Sequence, residues 1–225
     1  MTPGPDAVFA CPHCHAVARL QTIEEADTTG AISWTDGYQE APGVPRHPNV
    51  TRCVACQQFY WLGEAKQLGW YAPGIELPPE LVGWADAPMI EPLDEEGYYE
   101  ALASGMAMNP EHELELRVHA WWRGNDAFRQ TDPATPPVRT ERQISNMHRL
   151  VELCANGDHE ILLFRAEALR QLGRFDEASE ALYGLCSDYA LARDKIAERI
   201  AEKSRALAVL FGHEADPAAE TGELS

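Results

Sequence analysis

The sequence predicts an α+β protein, a small N-terminal β unit followed by a mainly α-helical bundle, and three observations carry that reading. Residues 1–71 hold two Cys-x-x-Cys pairs among turn formers and short apolar runs. Residues 72–92 are rich in proline (Pro73, Pro78, Pro79, Pro88, Pro92), which removes backbone donors and disfavours helix and sheet alike. From 93 to 211, apolar residues recur at helical spacing between capping residues. The expected organisation is a β unit over 1–71, an acidic proline-rich linker over 72–92, a helical domain over 93–211 and a flexible tail over 212–225.

Composition narrows the function classes. The chain has 225 residues and a formal net charge of −18. Such a charge repels a phosphate backbone, because non-specific nucleic-acid affinity comes from phosphates neutralised by Lys and Arg. No nucleic-acid partner is expected. The start, Met1-Thr2-Pro3-Gly4-Pro5-Asp6, lacks the basic and apolar stretches of a signal peptide. There is also no apolar run of about 18 residues to span a bilayer. A cytoplasmic location and no membrane partner are therefore expected, and in a reducing compartment paired cysteines serve as metal ligands more often than as disulfides.

Within the β unit, Ala18–Ile23 and Ala31–Trp34 read as strands around the turn Asp27-Thr28-Thr29-Gly30, with Asp36-Gly37 a second turn signal. Cys11-Pro12-His13-Cys14 and Cys53-Val54-Ala55-Cys56 each place two sulfurs on a tight knuckle. Together they supply the four thiolates of a closed tetrahedral site, expected to hold one structural zinc ion, with iron the less favoured metal. On Cys11, Cys14, Cys53 and Cys56, residues 9–62 resemble a zinc ribbon, although the intervening loop is longer than the common spacing of roughly 15–20 residues. Ribbon knuckles commonly place glycine after the second cysteine, where this chain has His15 and Gln57. His13 and His15 are read as exposed, since four thiolates complete the shell. Phe59-Tyr60-Trp61 is read as the strand that supplies the ribbon's core.

In the helical region, Asn109-Pro110 opens a helix carrying Leu114, Val118, Trp121 and Trp122, which Gly124-Asn125 is expected to close. Thr140-Glu141-Arg142-Gln143 has the spacing of a capping box, followed by Ile144, Met147, Val151 and Cys154 along one stripe, so Cys154 is read as core. Asp158 caps a helix that stops at Gly173, and Asp176 opens another, expected to reach Tyr189. Leu162, Ala166, Leu169, Gly173, Phe175, Ala178 and Leu182 make residues 159–190 resemble one tetratricopeptide repeat, without a second copy in register. Cys186, beside Leu182 and Tyr189, is read as buried. A last helix is expected to present Ile196, Ile200, Leu207, Leu210 and Phe211. Taken whole, a ribbon followed by repeat-like helices is similar to uncharacterised bacterial zinc-ribbon proteins, a resemblance that implies a fold and no activity.

Charge is uneven along the chain. Residues 67–116 hold eleven acids and no Lys or Arg, whereas 117–174 hold nine arginines and no lysine. Arg165, Arg170 and Arg174 are candidates for holding an acidic partner, since guanidinium groups pair carboxylates bidentately; the competing reading is that the acidic linker covers them. His112-Glu113 and His159-Glu160 lack the second histidine of a metalloprotease motif, and no phosphate loop, dinucleotide fingerprint or nucleophile elbow occurs. His119 and His148 are read as structural.

The expected function is therefore a non-enzymatic zinc-binding protein that serves as an interaction or scaffold module for an unidentified protein partner. The alternatives are a rubredoxin-like or thiol redox protein, and an enzyme with its site between ribbon and helices.

Overall fold

A computed structural model of the protein describes residues 2–74, 78–129 and 137–212. In chain order the strands and helices are β1 (Thr2–Pro3), β2 (Asp6–Ala10), β3 (Val17–Leu20), β4 (Ile23–Glu25), β5 (Ile32–Trp34), β6 (Gln39–Glu40), β7 (Val50–Arg52), β8 (Phe59–Trp61), β9 (Lys66–Tyr71), α1 (Glu95–Ala103), α2 (Pro110–Arg129), α3 (Glu141–Leu153), α4 (His159–Gln171), α5 (Phe175–Ala181), α6 (Ala190–Ala201) and β10 (Val209–Phe211). The α+β class stands, with small antiparallel sheets first and helices after. Among the described residues no helix is long and apolar enough to cross a membrane. The expected tail lies outside the described residues from 213 onward.

The chain forms two compact units that do not follow sequence order: residues 1–27 with 43–120, and residues 28–42 with 121–225. This division is not the one composition suggested. The hairpin around Asp36 belongs with the helices, and α1 with the first part of α2, as far as Ala120, belongs with the cysteines.

In the first unit, β2 is the middle of a three-stranded antiparallel sheet in the order β3-β2-β9, with Ala7 opposite Leu20 on one side and Trp70 on the other. As the central strand it is paired along both edges, and Ala7, Val8 and Ala10 of its Asp-Ala-Val-Phe-Ala run are buried. The second hairpin pairs β7 with β8, Val50 opposite Trp61. Trp61 and Val50 pack with Tyr98, Tyr99, Leu116 and Ala120 from α1 and α2. Asp94 starts α1 by accepting the Gly97 amide at 2.8 Å, and Asn109 starts α2 by accepting that of His112 at 2.7 Å. Fully burying a side chain such as Leu116 contributes about 1.5–3 kcal/mol.

In the second unit β5 lies between β10 and β6. The Thr140–Gln143 capping box forms as expected, as does the Asp158 cap on the Ile161 amide at 3.1 Å. Along α3, Met147, Leu150 and Val151 face inward at spacings of three and one, and Cys154 follows them into the core. α4 packs against α3, α5 and α6. Being covered on several sides, it buries Glu167, Arg170 and Gln171 along with Leu163, Ala166 and Leu169. It ends at Gly173, whose φ of 82° is open to glycine at little cost.

Three expected boundaries are corrected. α2 passes through Gly124-Asn125 to Arg129, because the Asn125 side chain donates to Asp36 at 2.7 Å instead of terminating the helix. α5 stops at Ala181 rather than near Tyr189: Gly184 turns the backbone with φ 84°, and Ser187–Tyr189 form a separate 3₁₀ turn. The last helix ends at Ala201, and Val209–Phe211 pair antiparallel with β5 as a strand. Lys203, at φ 52°, breaks the helix, and the Val-Leu-Phe run beyond it suits a pleated surface. Cys186 is half-buried rather than buried.

Candidate metal centre

Each cysteine pair sits in the loop of an antiparallel hairpin, and the two loops are built alike. Ala10 pairs with Val17 across the first and Arg52 with Phe59 across the second. In the first, the Cys11 amide donates to the Ala16 carbonyl at 2.9 Å and the His15 amide to the Cys11 carbonyl at 2.9 Å. In the second, the Cys53 amide donates to Gln58 at 2.9 Å and the Gln57 amide to Cys53 at 2.8 Å. The turn after each second cysteine requires the left-handed region, and His15 and Gln57 adopt it at φ 61° and 62°. The backbone that glycine usually supplies at a knuckle is thus present without glycine.

These loops bring four sulfurs to one point. The Sγ atoms of Cys11, Cys14, Cys53 and Cys56 all lie within 4.8 Å of one another. Cys11 Sγ is 3.8 Å from Cys56 Sγ, and Cys14 Sγ is 3.6 Å from Cys53 Sγ. A tetrahedral metal–thiolate site with bonds of about 2.3 Å has sulfur–sulfur edges of about 3.8 Å, whereas a disulfide bond is about 2.05 Å. The residues present therefore fit a metal ion, bound by the four cysteines with no position left open.

Electrostatics agree with that fit. Burial pushes the Cys53 thiol up, but the backbone amides of Cys56 and Ala55 and the thiols of Cys14 and Cys11 outweigh it and bring it down to about 7. At Cys56 the Gln58 amide lowers the pKa, while burial and the neighbouring sulfurs drive it up to about 12. Burial raises Cys11 as well. Four thiols this close cannot all ionise unless a cation neutralises them. Tyr60 packs on Cys11 and Cys53, and burial followed by the sulfurs pushes its hydroxyl up to about 12.

The histidines are not part of this centre. The exposed His13 ring bonds the Phe59 carbonyl at 3.1 Å, and His15 points to solvent. His112 packs on Trp61 with ring centres 4.4 Å apart, and His119 stacks on Tyr98 at 5.2 Å. Phe59-Tyr60-Trp61 is the strand β8, with Tyr60 and Trp61 buried as expected.

The three candidate arginines do not form one exposed face. Arg170 is fully buried: its Nε donates to Glu167 at 2.8 Å and its Nη1 to the Ser204 carbonyl at 2.5 Å. That corrects its assignment to a partner surface, because a guanidinium removed from water needs its carboxylate inside the fold. Arg165 is half-buried, and Arg174 donates to Glu177 at 2.7 Å.

Asp36-Gly37, a turn signal in the sequence, belongs to a second polar cluster. Asp36, fully buried in the β5–β6 loop, accepts from Asn125 at 2.7 Å, from Arg129 at 2.6 Å and from the Tyr38 amide at 3.1 Å. Arg129 also lies over the Tyr38 ring at 4.1 Å. Through Asn125 and Arg139 these bonds reach Gln171 and Glu167, which in turn accepts from Thr35 at 2.8 Å. Burial lifts the Asp36 carboxyl to about 6, against the pull of Arg129 and Asn125. Asp36-Gly37 gives no local hint of this, since its partners lie in another part of the chain.

Comparison with protein families, with curated proteins and with solved structures finds no match to this chain.

Proposed function

We propose that the four cysteines hold one structural zinc ion in a zinc-ribbon fold, and that the protein is a non-enzymatic module for binding another protein. The observation that carries this is the convergence of four sulfurs, from two hairpin loops of like construction, at separations a tetrahedral ion requires. Four protein ligands leave no coordination position for substrate, so the metal's work is to hold the fold. The repeat-like pattern of α4 and α5 supports a helical region of the tetratricopeptide kind, and thiols kept for a metal suit a cytoplasmic protein.

Metal analysis of the purified protein tests the reading. One zinc per chain and a colourless solution support it. A red protein whose visible absorption tracks bound iron would replace it with a rubredoxin-like electron carrier, which the same four thiolates suit. A chain purified without either metal, with Cys53→Ser folded as wild type, would remove the metal centre altogether.

A further inference from the structure

Beside the second knuckle the first unit has two clefts, of about 240 and 400 Å³. Both are lined by Thr51, Arg52, Cys53, Val54 and Met89, so they adjoin along one wall, and we treat them as the two ends of one surface groove. The smaller end is walled by Ala16, Ala18, Tyr60, Pro88 and Ile90. The larger end adds Glu91 and Asp94. Val54, second in the knuckle, is 64% exposed at the lip, an apolar side chain held in water by a loop with little freedom to withdraw it.

The groove's charge is one-sided. Its basic residue, Arg52, is ion-paired with Glu100 and lies over the Phe59 ring at 4.5 Å. Glu91 is exposed, and the wall it belongs to lies in the stretch 67–116, which carries eleven acids and no Lys or Arg. The apolar end alone, at about 240 Å³, falls below the roughly 300–1,000 Å³ of small-molecule pockets and is of a size for one side chain. Met89, common to both ends, and Glu91 stand two residues apart, about 7 Å in extended chain. Alternate side chains of an extended peptide have the same spacing.

We propose that this groove docks an extended segment of a partner protein, with an apolar side chain in the small end and a Lys or Arg two positions along facing Glu91 and Asp94. It rests on the interaction role proposed above and adds the place and the chemistry of the contact. Charge complementarity selects the occupant: an acidic segment would set a like charge against Glu91 and Asp94, and a purely apolar one would gain nothing from them.

The test is an amide-resonance titration of the full zinc-loaded chain with acetyl-Gly-Leu-Gly-Lys-Gly-amide and with its Glu counterpart. The Lys peptide should shift Val54, Met89 and Glu91 with a dissociation constant of roughly 1 mM, and the Glu peptide should not. Glu91→Lys should weaken the Lys peptide at least about fivefold, while Asp86→Lys, an exposed acid outside the groove, leaves it unchanged. Equal response to both peptides, shifts confined to other surfaces, or no shifts up to about 10 mM overturns the groove. Because zinc content and the native spectrum are read on the same sample, a groove that fails with zinc retained is distinct from a failure of the metal reading.

Discussion

His15 and Gln57, each directly after the second cysteine of its pair, hold the same left-handed backbone at φ 61° and 62°. For an L-residue that conformation costs roughly 1–2 kcal/mol, and the two knuckles carry it together.

Gln57→Gly should therefore leave stability unchanged or raise it, the relief of strain being offset in part by the greater freedom of glycine in the unfolded chain. Gln57→Val, β-branched at the same φ, should lose about 1–2 kcal/mol. Urea denaturation of both variants checks the pair, and equal stability would show that the turn relaxes.

Removing the metal should cost the first unit its structure. Binding of structural zinc to small peptides is worth about 10–16 kcal/mol, comparable with the whole stability of a domain. Chelation, or Cys53→Ser, should abolish the near-ultraviolet dichroism of Tyr60 and Trp61. Cys154, whose thiol burial pushes up to about 12, is not one of the four clustered sulfurs, and Cys154→Ala should retain full metal stoichiometry.

Asp36 should make stability fall with rising pH. The folded protein keeps its proton up to about 6, the unfolded chain only to about 3.8. Between those values the folded state binds more protons, so this group's contribution is greatest below pH 4 and is lost as pH rises through 6, by about 3 kcal/mol. Asp36→Asn should remove that slope. Denaturation curves at pH 4, 5, 6 and 7 for both proteins decide it, and parallel pH profiles would refute it.

Gly37→Ala should lose about 2–4 kcal/mol, from overpacking and from a φ of 80° that alanine avoids. A Cβ there would stand 2.4 Å from Cε1 of Phe164. Adding Phe164→Leu should restore part of the loss, measured as a double-mutant cycle.

Arg170→Ala should lose about 3–5 kcal/mol because Glu167 would stay buried with its charge partner gone. The double variant Glu167→Gln, Arg170→Met should lose less than the single one. A partner-binding defect without destabilisation in Arg170→Ala would restore this arginine to a recognition surface.

Features whose causes lie within a few residues of one another are legible without the fold. Cys11, Cys14, Cys53 and Cys56 announce the centre because ligand chemistry and a two-residue spacing are local, and Asn109, Thr140, Asp158 and Gly173 mark helix ends for the same reason. Long-range packing, by contrast, sets Gly124-Asn125 inside a helix, makes Val209–Phe211 a strand beside β5, joins residues 28–42 to the helical unit, and buries Asp36 and Arg170. Distance along the chain accounts for this: Asp36 meets Asn125 and Arg129 at separations of 89 and 93 residues. A charge goes inside when its partners are already there, and no local window of sequence contains them.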